Sequence, residues 1–128
     1  MNYDKNNIFA KILRGEIPLK SKEKIYEDEF VLSFYDINPK KKIHALVIPK
    51  GKYVDLDDFN TNASNDEIIG LMKGITTVAK KLGISSIDGK GYRALANISD
   101  YGGQEVPHLH FHLFGGEKVG KMVSWSLK

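Results

Sequence analysis

Ile8, Phe9, Ile12 and Leu13 recur at the spacing of one helix face, with Asn6 or Asn7 placed to cap the start and Gly15 to end it. A short helix is predicted there. Two strands follow, at residues 24–26 and 30–36, joined by an acidic turn at Glu27-Asp28-Glu29. After Asn38-Pro39, residues 43–48 are β-branched and aliphatic and stop at Pro49, with His44, Leu46 and Ile48 on one face. Residues 50–63 carry no clear period and are expected to be an irregular acidic loop. Ser64-Asn65-Asp66-Glu67 has the form of a capping box. The long helix that it opens runs to about Leu82, with Gly83 at its end and an apolar stripe of Ile68, Leu71, Met72, Ile75, Val78, Ala79 and Leu82. Gly70 and Gly74 interrupt it four residues apart, which suits either close packing on that side or a tolerated pair.

Beyond the loop at Asp88-Gly89-Lys90-Gly91, residues 92–97 form a further strand, and a connection containing Gly102-Gly103 leads to His108-Leu109-His110-Phe111-His112-Leu113-Phe114. Three of the four histidines alternate here with apolar residues. On a strand the imidazoles share one face, about 7 Å apart at a rise of roughly 3.3 Å per residue, and Leu109, Phe111 and Leu113 share the other. Gly115-Gly116 ends the strand, and a tail with the single tryptophan, Trp125, follows. The order predicts an α+β domain spanning 1–128, with an approximately five-stranded, mainly antiparallel sheet, one short helix and one long helix.

Composition narrows the chemistry. A chain of 128 residues that is 41% hydrophobic and 27% charged suits one globular domain. With no cysteine, disulfides, thiol catalysis and cysteine-based zinc sites are excluded, leaving His, Asp and Glu for reactive work. The net charge of +3 comes from dispersed lysines and one cluster, Lys40, Lys41 and Lys42. No dense basic stripe interleaved with aromatics marks a nucleic-acid surface, so no nucleic-acid partner is expected. The N-terminus lacks the form of a signal peptide and no apolar run spans a bilayer, so a cytoplasmic protein without membrane contact is the expectation.

Three alternating histidines admit several readings. They can be half-exposed surface residues. They can hold a zinc ion, with His44 or Asp36 completing a tetrahedron. A neutral imidazole can attack an electrophilic phosphorus while its neighbours donate N–H bonds to phosphate oxygens. General acid–base work needs a separate nucleophile, and the sequence has no Gly-x-Ser-x-Gly elbow.

The histidine stretch resembles the signature of the histidine-triad superfamily, His-x-His-x-His followed by two apolar residues. Ile8-Phe9-Ala10-Lys11-Ile12 with Glu16-Ile17-Pro18, Phe34-Tyr35-Asp36-Ile37-Asn38-Pro39 and His44-Ala45-Leu46-Val47-Ile48-Pro49-Lys50 resemble its Hint branch, in the right order. Gly91-Tyr92-Arg93 with Asn97, and Gly102-Gly103-Gln104, extend the match over nearly the whole chain.

That resemblance implies a homodimeric, metal-free nucleotide hydrolase that cleaves the P–N bond of purine nucleoside 5′-phosphoramidates. It implies that His110 attacks the α-phosphorus, that His112 and Gln104 contact phosphate oxygens, and that His108 and His44 hold the attacking ring. Asn97 would sit at the phosphate end, and Asp36 would accept from the ribose hydroxyls. Ile8, Phe9, Ile17, Phe34 and Ile37 would enclose the base, while Ile12 is expected to be core. Glu105 stands beside Gln104 where eukaryotic members carry a serine that assists the leaving amine, and Pro107 stands where an aromatic residue is frequent. Another triad branch, acting on dinucleoside polyphosphates or transferring nucleotides, is the enzymatic alternative. A non-catalytic nucleotide- or zinc-binding protein is the other.

Overall fold

The computed structural model describes residues 2–122, and Trp125 lies outside them. The elements in order are α1 (Ile8–Leu13), β1 (Lys24–Glu27), β2 (Val31–Tyr35), β3 (Ile43–Pro49), α2 (Leu56–Asn62), α3 (Asn65–Lys81), β4 (Arg93–Leu95) and β5 (Phe111–Gly115). The strands form one five-stranded sheet in the order β1-β2-β3-β5-β4, and every pairing is antiparallel. This is the α+β architecture that the sequence predicts.

Alternation along β3 divides the core. Ala45 and Val47 join Val31, Leu71, Ile75, Val78, Leu109 and Leu113 beneath α3. Leu46 and Ile48 join Phe9, Leu32 and Phe34 on the opposite face, where α1 packs. A one-residue slip of β3 would exchange the two sets, so burial on both faces fixes the register.

The helix ends follow their side-chain chemistry. Asn7 accepts from the Ala10 N–H to start α1, and Gly15, at φ +82, follows its C-cap Arg14. At α3 both halves of the capping box form between Ser64 and Glu67. Asp66 and Glu67 in the first turn and Lys80 and Lys81 in the last complement the helix dipole. A Cβ on Gly70 would meet Phe30 at 2.6 Å, and one on Gly74 would meet Val31 at 3.1 Å. The glycine pair therefore seats α3 against the start of β2.

Three expectations need correction. Residues 50–63 are not wholly irregular: α2 forms there, with Asp55 accepting from the Asp58 N–H and Phe59 buried at its centre. Leu56, Phe59 and Ala63 carried the helical spacing, but seven residues are too few for it to stand out. Met72 is half exposed and lies outside the core stripe. The third concerns the histidine strand, because β5 begins at Phe111, so His108 and His110 precede the ladder. Among the described residues no helix is long and apolar enough to cross a membrane.

Candidate active site

All four histidines gather on the α1 side of the sheet, held by three segments. β3 brings His44, β5 brings His112, and the extended stretch before β5 brings His108 and His110. The Leu109 N–H donates to the Tyr53 carbonyl and ties that stretch to the loop after β3. Leu109 and Leu113 point into the α3 core, as the alternation requires. His110 and His112 have ring centroids 4.9 Å apart, closer than ideal strand geometry, because the chain at His110 is not in the ladder. The ring of Phe9 meets His110 edge-on at 5.0 Å and His108 at 6.3 Å, which makes α1 the wall behind both.

Fixed backbone partners assign the tautomers. The Pro49 carbonyl, 2.9 Å from His108 Nε2, can only accept, so Nε2 carries the proton. His108 Nδ1 is then a bare acceptor, and the Tyr3 hydroxyl donates to it at 2.6 Å. The His108 carbonyl lies 2.8 Å from His110 Nδ1, so Nδ1 carries the proton and His110 Nε2 keeps its lone pair. On the other side the Lys40 backbone N–H, which can only donate, meets His44 Nδ1 at 3.2 Å. His44 Nε2–H therefore donates to His112 Nδ1 at 2.9 Å, and His112 keeps Nε2–H.

The site thus presents one bare imidazole nitrogen, on His110, beside one free imidazole N–H, on His112. No side-chain polar atom among the described residues is both buried and unpartnered. His110 Nε2 and His112 Nε2, which no described residue engages, therefore open toward solvent. These are the roles a nucleophile and an oxyanion donor need.

Electrostatics keep the rings neutral. Burial is the main cause for each, lowering the pKa of His44 and His110 and bringing those of His108 and His112 down to about 4. Asp36 and Glu105 act in the opposite sense on His110. Lys40 adds to the depression at His44 and His112.

Several site residues stand differently from the roles the resemblance implies. His44 bonds His112 rather than the His110 ring, and His108 holds His110 through its backbone carbonyl while its own ring turns toward Tyr3. The Gln104 amide donates to the Val54 and Val106 carbonyls and accepts from the Ser99 N–H, so it ties its loop to the segment after β3 and has no N–H left for phosphate. Phe34 is core, packed edge-on to Phe9, and Ile12 lies against the same cluster. Ile8, Ile17 and Ile37 are 45%, 36% and 81% exposed. Asp36 accepts from the Asn38 N–H, and its other oxygen lies 3.5 Å from His44 Nε2. Asn97, just past β4, has no hydrogen-bond partner among the described residues.

Tyr3 carries no local sequence signal for its place here, since its contact spans 105 residues. One cluster among the described residues has the reach to hold a metal ion: Asp36, His44 and His112, with ligand atoms within 4.8 Å of one another. It differs from the alternating triplet, since it takes only His112 from it, and both ring nitrogens of His108 are already bonded to Tyr3 and Pro49.

The HIT domain family pattern matches residues 17–119. The chain is 50% identical over 122 residues to an uncharacterized 13.2 kDa HIT-like protein of Azospirillum brasilense, covering 95% of each chain. It is 38% identical over 117 residues to the purine nucleoside phosphoramidase of Escherichia coli, covering 91% of this chain and 92% of that one. A HIT family hydrolase from Clostridium thermocellum superposes with a TM-score of 0.80 at 38% identity, over 94% of this chain and 99% of that chain. With a family match across most of its length and relatives at this identity, the chain belongs to the HIT domain family, on its Hint-like branch.

Proposed function

We propose that this protein hydrolyses the P–N bond of purine nucleoside 5′-phosphoramidates through a nucleotidyl-histidine on His110. The observation that carries the proposal is the bare Nε2 of His110, whose ring is fixed by the bond from Nδ1–H to the His108 carbonyl. The lone pair attacks the α-phosphorus, an N–P bond forms, and the amine departs with the electrons of the broken P–N bond and takes up a proton. Water then displaces His110, releasing the nucleoside monophosphate and restoring the ring. His112 Nε2–H is the donor for phosphate oxygens, and its opposite nitrogen is steadied by His44. Asn97 is a second donor for the phosphate. Ile8, Ile17 and Ile37 offer apolar surface for a base. The similarity to the Escherichia coli purine nucleoside phosphoramidase supports the choice of substrate.

The test is AMP release from adenosine 5′-phosphoramidate. The wild type is expected to turn over, and His110→Ala to lose at least about a thousandfold, as removal of a nucleophile does. Equal release by both proteins contradicts the proposal.

The functional unit is proposed to be a homodimer. β4 is a three-residue strand at one end of the sheet, and among the described residues no further strand pairs with its outer edge. Light scattering should give about twice the 14.4 kDa chain mass, and a value of one chain contradicts it.

The Asp36, His44 and His112 cluster favours one competing reading, a bound divalent cation. Such an ion would replace the His44–His112 hydrogen bond. Stoichiometric metal in protein purified without chelator, with activity lost on its removal, would support that reading over the metal-free one.

A further inference from the structure

We infer that Tyr3 is a positioning residue for His110, acting through His108. The inference rests on His110 being the nucleophile, and it adds a residue from the extreme N-terminal segment to the machinery that holds it.

The His108 side chain is fully buried, so both ring nitrogens require partners. Pro49 supplies a carbonyl, which fixes the proton on Nε2. Nδ1 must then receive a hydrogen bond, and the Tyr3 hydroxyl at 2.6 Å is the donor that reaches it. The two rings also meet edge-on, with centroids 5.6 Å apart. Without that hydroxyl, either Nδ1 stays bare in a dry site, or the proton moves to Nδ1 and the Nε2 lone pair faces the Pro49 oxygen. Both outcomes disfavour the present ring position.

The ring position matters because the same residue's carbonyl holds His110. His108 O accepts from His110 Nδ1–H, and that bond leaves the lone pair on Nε2. Any shift of His108 that loosens this contact lets His110 sample the tautomer in which Nε2 is protonated and cannot attack.

The sequence around Tyr3 is built to hold it there. The Asp4 carboxylate accepts from the Asn6 N–H. Asn7 donates from its side chain to the Asp4 carbonyl while its own oxygen caps α1. Segment 4–7 is therefore a closed turn anchored to α1, whose Phe9 touches both His108 and His110. Burial raises the Tyr3 pKa, so the phenol keeps its proton and remains a donor at neutral pH.

The test uses Tyr3→Phe in the full chain, which keeps the aromatic edge contact and removes the hydroxyl. Nitrogen-15 NMR of the histidine rings reads the tautomers, independently of whether phosphoramidates are the substrate. In the wild type His108 should show a bare Nδ1 and a protonated Nε2, and His110 Nδ1–H should be protected from exchange. In Tyr3→Phe, His110 Nδ1–H should exchange about tenfold faster. With adenosine 5′-phosphoramidate, kcat should fall about fivefold to tenfold while KM stays within about twofold.

Wild-type His108 with a protonated Nδ1 would overturn the inference. So would a Tyr3→Phe protein in which His110 exchange and kcat are unchanged. If the wild type does not turn over phosphoramidates at all, the proposed substrate fails, and the NMR comparison still decides the role of Tyr3.

Discussion

Lowering the pH from about 7 to about 5 should destabilise this protein through His108. In the unfolded chain the ring titrates near 6.5, whereas burial brings the folded value down to about 4. Between those values the unfolded state binds a proton that the folded state refuses, so stability falls as pH falls. The contribution is fully present above about 6.5 and fully lost below about 4. The shift is worth about 3 kcal/mol in total, at about 1.4 kcal/mol per unit, of which about 2 kcal/mol is lost between pH 7 and pH 5. His44, His110 and His112 are shifted in the same direction and add to the slope. Carboxylates with lowered values, Glu27, Asp28 and Glu67, lose their contribution only as pH falls below the usual carboxylate range, so the window above about 5 belongs to the histidines. Urea unfolding at a series of pH values measures this directly. A free energy that is flat between pH 7 and pH 5 would refute the claim that the imidazole cluster is folded in the neutral state.

The remaining predictions concern the frame. Ser64→Ala removes the acceptor for the Glu67 N–H and should cost about 1 kcal/mol, read as a lower urea midpoint with unchanged slope. Phe59→Ala should cost about 3–5 kcal/mol, because its side chain is fully buried and packs edge-on to Tyr53. A loss under about 1 kcal/mol would mean that α2 adds little to the core. Gln104→Ala removes three hydrogen bonds to backbone groups and should lower the melting temperature by several degrees along with activity. A raised KM with unchanged melting would instead mark Gln104 as a direct phosphate contact.

The sheet, α1 and α3 were legible because side-chain identity specifies them: alternation in β3, the capping box at Ser64 and Glu67, and Asn7 before an apolar face. α2 was hidden because a two-turn helix gives its period too few repeats, and Phe59 declares its burial only once α2 is seen packed against Tyr53. The histidines were legible as a group, but their individual roles were not. Those roles are set by the Pro49, His108 and Tyr53 carbonyls and the Lys40 N–H. Every residue carries such groups, so nothing in the sequence marks which ones the chain uses. Tyr3 is illegible for a related reason, since one tyrosine before a helix carries no local pattern. Gln104 is the opposite case, because a residue inside a matched motif spends its amide on backbone groups of its own loop and of Val54.

The central claim is that His110 Nε2 forms a bond to phosphorus, and acid-sensitive chemistry at that nitrogen tests it most directly. Adenosine 5′-phosphoramidate would be mixed with enzyme, quenched within the first turnover under denaturing alkaline conditions that preserve phosphorus–nitrogen bonds, and the protein mapped by mass spectrometry. An adenylyl group is expected on His110, and none on His110→Ala. An adduct on His112 or His44, or full turnover with no adduct at any time, would contradict it.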